Sequence, residues 1–155
     1  MSFRTALAVT LITLATPALA ADKGEVPYWA SLRSDEVNMR VGPGEDYKIS
    51  WVYRRAALPL KVLRLKESWR LVQDPEGTQG WMMSRFLTRE RGAIVIGHGP
   101  AEMRQKGEAG ARLQWQVAPG VVGKLGGCSR GWCAFEVTGR FGFVPQDRLW
   151  GAGAP

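Results

Sequence analysis

Histidine is almost missing from this 155-residue chain, His98 being the only one. A Ser–His or Cys–His catalytic pair would have to be built on it, yet Gly97, Gly99 and Pro100 surround it and mark an exposed connection. Cysteine is nearly as scarce, with Cys128 and Cys133 alone. Two thiols and one imidazole fall short of the four ligands of a structural zinc site, so no metal and no cofactor is expected. Adjacent carboxylates occur only at Asp35-Glu36 and Glu45-Asp46, in turn-like settings where a solvated charge is the ordinary state. Runs of basic residues are short as well. Arg54-Arg55 is the one adjacent pair, which argues against a nucleic-acid surface. These shortages exclude the commoner catalytic designs and lead to the expectation of a non-enzyme.

Long apolar stretches are confined to the N-terminus. Met1 to Arg4 is a short basic start, Ala6 to Thr16 is apolar and uncharged, and Pro17 precedes Ala18-Leu19-Ala20, a small-x-small pattern. The run is about half of what a helix needs to cross a bilayer. Residues 1–20 therefore read as a signal peptide cleaved between Ala20 and Ala21, and the longest later apolar stretch is Ala93 to Ile96, so no transmembrane segment is expected after cleavage. The product is expected to be exported, to the periplasm or beyond. Export also bears on the cysteines, because an oxidising compartment favours a Cys128–Cys133 disulfide across the hairpin tip Ser129-Arg130-Gly131. A redox pair would more typically show the Cys-x-x-Cys spacing.

What the chain does have is turns and aromatics: 19 Gly, 9 Pro and 7 Trp, with a net charge of +7. The charge favours anionic surroundings in encounter, without specifying a ligand. A repeat runs through it. Ser68-Trp69-Arg70-Leu71-Val72 followed by Gly80-Trp81 returns as Gly131-Trp132-Cys133-Ala134-Phe135 followed by Gly142-Phe143, and Met39-Arg40 returns as Met103-Arg104. The spacing holds near 63 positions, which indicates a duplicated unit of about 60 residues. Units of that size fold alone only marginally, so the two are expected to pack together. Cys133, Phe135 and Val137 alternate as one face of a half-buried strand. Leu60 and Val62 fall on the opposite parity from Leu63 and Leu65, which calls for a bulge near Val62. Turns are marked by Gly42-Pro43-Gly44, Asp74-Pro75-Glu76-Gly77, Pro119-Gly120 and Thr138-Gly139. Short 3₁₀ turns are expected at Ser84 to Leu87 and Pro145 to Leu149.

These residues resemble the bacterial SH3-like domain family. Asn38-Met39-Arg40-Val41-Gly42-Pro43-Gly44 looks like its start, Ser68-Trp69-Arg70-Leu71-Val72 like its middle strand, and Gly77-Thr78-Gln79-Gly80-Trp81 like its end. The second unit is more divergent, with Met103-Arg104-Gln105-Lys106-Gly107 in place of the Asn and Pro of the start, although Gly131-Trp132-Cys133 and Leu149-Trp150-Gly151 look like endings of exported two-unit proteobacterial members. The resemblance implies an all-β chain of two tandem SH3-like barrels. Its organisation would be signal peptide 1–20, lead-in 21–32, unit one 33–91, linker or shared strand 92–100, unit two 101–151 and tail 152–155. It also implies a binding or adaptor module whose partner is a peptide, a cell-wall polymer or an envelope protein. The alternatives are a structural subunit of an envelope complex and a wall hydrolase with an unrecognised site.

Aromatic residues supply the site candidates. Trp81, Phe143 and Leu149 are expected to close the barrels as core. Ile49, Trp51 and Tyr53 share strand parity, so part of that face is expected to be buried. Tyr47 and Trp69 are expected to be partly exposed beside Glu45 and Asp46, and an aromatic groove with acids is how SH3-type barrels hold extended peptides. The candidate ligand site is therefore Tyr47, Trp51, Tyr53, Trp69, Glu45 and Asp46, all on unit one.

Overall fold

A computed structural model of the chain describes residues 25–155; the expected signal peptide and its expected Ala20–Ala21 cleavage point lie outside the described residues. The described residues form two antiparallel sheets in tandem, each of seven strands. The first contains β1 (Tyr28–Leu32), β2 (Val37–Arg40), β3 (Ile49–Tyr53), β4 (Pro59–Lys66), β5 (Trp69–Gln73), β6 (Gln79–Met83) and β7 (Leu87–Thr88). The second contains β8 (Gly92–Val95), β9 (Ala101–Arg104), β10 (Leu113–Val117), β11 (Val122–Ser129), β12 (Trp132–Val137), β13 (Arg140–Pro145) and β14 (Leu149–Trp150). The hydrogen-bonded orders are β3-β2-β6-β5-β4-β1-β7 and β10-β9-β13-β12-β11-β8-β14, the same topology twice. Two 3₁₀ turns, Ser84–Phe86 and Gln146–Arg148, lead into the last strand of each sheet, where the sequence places them.

Strand order explains which alternations bury. Leu60, Val62, Val72 and Met82 point into the first core with Val37 and Met39, and Cys133, Phe135 and Val144 point into the second with Met103. Beyond Val62 the register slips by one residue, so that Arg64 faces Leu71 while Val62 faces Val72. This is the bulge that the parity change of β4 requires. It lets Leu65 rejoin the core side.

Two expectations about burial need correction. Trp81 and Phe143 are half-buried on the outer face, and the inward positions beside them belong to Met82 and Val144. The reason is parity: Gly80 and Gly142 also face inward, each against a buried methionine, Met39 or Met103, so the residue between glycine and core side chain must point out. Leu149 is buried as expected. On β3 part of the face is buried, as expected: Tyr53 is buried, whereas Ile49 and Trp51 are exposed, because β3 is the end strand of its sheet.

β1 and β8 bury nearly every residue on both faces. One face of each lines its own core; the other meets the opposite unit. Ser31 is 2% exposed, and its Oγ accepts the Gly92 N–H at 2.9 Å. Ile94 joins the first core beside Leu58. The Trp29 ring stands edge-on to Trp150 at 4.7 Å, and its Nε1 donates to the carbonyl of Gly153 at 3.1 Å. The two units do pack together. β1 lies within the stretch taken as a lead-in, and Gly92–Val95, taken as linker or shared strand, pairs with β11 and β14 as a strand of the second sheet. His98 follows on the exposed connection.

Candidate functional site

The loop after β2 is held identically in both units. Arg40 Nη1 donates to the Tyr47 carbonyl at 2.7 Å, and Arg104 Nη1 donates to the Ala111 carbonyl at 2.6 Å. Val41 N–H reaches the Lys48 carbonyl at 3.0 Å, and Gln105 N–H reaches that of Arg112 at 2.9 Å. The loop thus keeps its shape in the second unit without the Gly-Pro-Gly sequence. What changes is the ring: Tyr47 lies so close to Gly42 that any β-carbon there would strike it, and the second unit replaces Gly42, Gly44 and Tyr47 by Lys106, Glu108 and Ala111.

The six expected site residues do not form one groove. Trp51 and Tyr53 line a cleft of about 520 Å³ whose opposite lip is the turn carrying Asp74, Glu76 and Thr78, with Leu58 and Ile94 at its floor. Glu45 and Trp69 line a different hollow of about 120 Å³, beside Arg40, Met83 and Arg85. Only the first falls in the range of ligand-holding sites, about 300–1,000 Å³. Tyr47 and Asp46 are exposed and line neither.

Within the larger cleft the aromatic pair splits in role. Trp51 is 60% exposed. Tyr53 is buried, and its hydroxyl donates to Asp74 Oδ2 at 2.7 Å, while Asp74 Oδ1 accepts the Thr78 N–H at 2.7 Å and so fixes the turn. Burial, then the Asp74 hydrogen bond and the charges of Asp74 and Glu76, hold the Tyr53 phenol protonated well above its ordinary range. The two cations of the cleft are engaged: Arg54 pairs with Glu36 at 3.2 Å, and Arg55 Nη1 donates to the Gly120 carbonyl of the second unit at 2.6 Å. Sequence reasoning missed Asp74, Glu76 and Thr78 as cleft residues. Asp74-Pro75 was visible as a turn, and an aspartate at a turn's first position commonly accepts a backbone N–H from within it.

Cys128 and Cys133 are disulfide-bonded across the β11–β12 hairpin, where they are direct cross-strand partners. Arg130 and Gly131 make the turn, both at positive φ (53° and 79°), the two-residue geometry whose twist matches the flanking strands.

Twice-repeated sheets of this order, each with a pinned loop after its second strand and a 3₁₀ turn before its last, define a tandem SH3-like fold. The sequence matches the bacterial SH3 domain family over residues 33–88 and again over 98–151, and the chain belongs to that family. Among curated proteins none matches it. Among solved structures it is similar to NlpC2 from Trichomonas vaginalis, at 11% identity and a TM-score of 0.37 over 81% of this chain and 48% of that one. It is also similar to NlpC1 from Trichomonas vaginalis, at 11% identity and a TM-score of 0.37 over 88% of this chain and 50% of that one. The chain spans about half the length of these structures.

Proposed function

We propose that this protein is an exported, non-enzymatic binding module that holds an extended peptide, free or as part of a cell-wall polymer or envelope protein, in the cleft beside β3. The observation that carries this reading is the pairing of an exposed Trp51 with an end strand. β3 is the last strand of its sheet, so its outer backbone groups are open to strand addition, and Trp51 projects from its middle into the cleft. Main-chain pairing would supply affinity and the cleft would read one side chain. A non-enzymatic role is supported by the state of the nucleophiles: both thiols are consumed by the disulfide, and His98 sits on the exposed connection. The signal-like pattern read in residues 1–20 and the disulfide support a location outside the cytoplasm.

The test is sedimentation with purified peptidoglycan beside a pull-down from envelope extract, each run with the parent and with Trp51→Ala. Trp51→Ala is expected to lose at least tenfold in whichever assay the parent is positive. Undiminished capture by a folded Trp51→Ala protein would move the site elsewhere.

A further inference from the structure

Trp51 and Trp115 hold the same place in the two repeats, each in the middle of an end strand and opposite an inward methionine, Met39 or Met103. What lies over the two rings differs. The guanidinium of Arg140 stands 4.8 Å from the centroid of Trp115, a cation on an aromatic face. Arg140 lies two residues before Gly142; the corresponding position two residues before Gly80 is Thr78, which lines the cleft with Trp51. A short hydroxyl side chain therefore lines the first cleft at the repeat position from which a guanidinium covers the second ring. Exposure follows: Trp51 is 60% exposed and Trp115 42%.

The turn beside Trp51 is acidic where its second-unit counterpart is not. Its cleft contains the carboxylates of Asp74 and Glu76, while the shorter second-unit turn is Thr138-Gly139. Arg54 and Arg55, the cations present, are directed to Glu36 and to the Gly120 carbonyl. An aromatic wall facing carboxylates is the arrangement that recognises an ammonium or guanidinium group. We infer that Trp51 is the seat of a cationic side chain supplied by the ligand, an amine or guanidinium on a peptide running along β3, and that the second unit fills its own seat with Arg140. This rests on the cleft reading above and specifies its ligand.

The probes are a blocked Ala-Lys-Ala tripeptide and its norleucine and glutamate counterparts, followed through the Trp51 indole signal by NMR. The lysine peptide should shift that signal and bind at least tenfold more tightly than either counterpart. Thr78→Arg, at an exposed position whose backbone hydrogen bond is unaffected, should place a guanidinium over Trp51 and abolish the lysine preference without lowering the melting temperature. Equal binding of lysine and norleucine peptides, tighter binding of the glutamate peptide, or a lysine preference that survives Thr78→Arg would overturn the cationic seat. The cleft reading would still stand if Trp51→Ala abolished capture of wall material or envelope protein; if it did not, both would fall.

Discussion

Tyr53 and Asp74 meet through a buried hydrogen bond of 2.7 Å, and the second unit holds Val117 and Val137 at the same two places. A polar pair in one repeat has become an apolar pair in the other, which keeps both interiors satisfied. Tyr53→Phe breaks the match on one side only: Asp74, 6% exposed, keeps the Thr78 N–H but loses the hydroxyl. Chemical denaturation should show a loss of about 1–3 kcal/mol.

The same phenol predicts an alkaline limit. Its folded pKa is raised above the unfolded value of about 10, so below that pH both states keep the proton and stability is unaffected. Above it the unfolded chain releases the proton while the folded chain retains it, and stability falls as pH rises. Denaturation midpoints measured from pH 8 upward should decline in the parent more steeply than in Tyr53→Phe.

Gly80 and Gly142 are predicted to be equally intolerant. A β-carbon on Gly80 would lie 2.5 Å from Met39 Cγ and 3.0 Å from the Arg40 carbonyl, and one on Gly142 would lie 3.0 Å from Met103 Sδ and from the Arg104 carbonyl. Both methionines are buried, so neither can swing out to solvent. Either glycine changed to alanine should cost about 1–3 kcal/mol by overpacking, read as a lower denaturation midpoint.

Gly42 and Tyr47 should behave as a coupled pair. Gly42→Ala forces the ring off its seat, whereas in a Tyr47→Ala background the same change has no ring to strike, as in the second unit with Lys106 and Ala111. A double-mutant cycle on stability should give a coupling of at least ~0.5 kcal/mol, and strict additivity would show that the ring does not rest on the glycine.

Reduction of Cys128–Cys133 should lower stability by about 2 kcal/mol, the modest figure expected of a short loop. Cys128→Ser/Cys133→Ala should show a similar or somewhat larger loss, because Cys133 is also fully buried.

Much of the fold was legible because it depends on short-range chemistry. The bulge after Val62 was written in a parity change, the hairpin tips in Arg130-Gly131 and Thr138-Gly139, and the duplication in the spacing of its tryptophans. The candidate site was legible only in part. Trp51 and Tyr53 share a cleft with Asp74, but Trp69 projects from the opposite face of the sheet, and nothing local to Trp69 says which face that is. Trp81 misled for a related reason: hydrophobicity suggested core, yet its side is set by Gly80, whose contact with Met39 joins strands far apart in sequence. Ile94 in the cleft floor could be foreseen by neither pattern, since it arrives from the other unit.

The burial of β1 and β8 against opposite units changes what counts as the folding unit. With Ser31, Trp29 and Ile94 each satisfied by the other half, neither repeat keeps its full interior when separated from its twin. Two modules that look independent in sequence should therefore melt in one transition, each half serving as a permanent chaperone of the other.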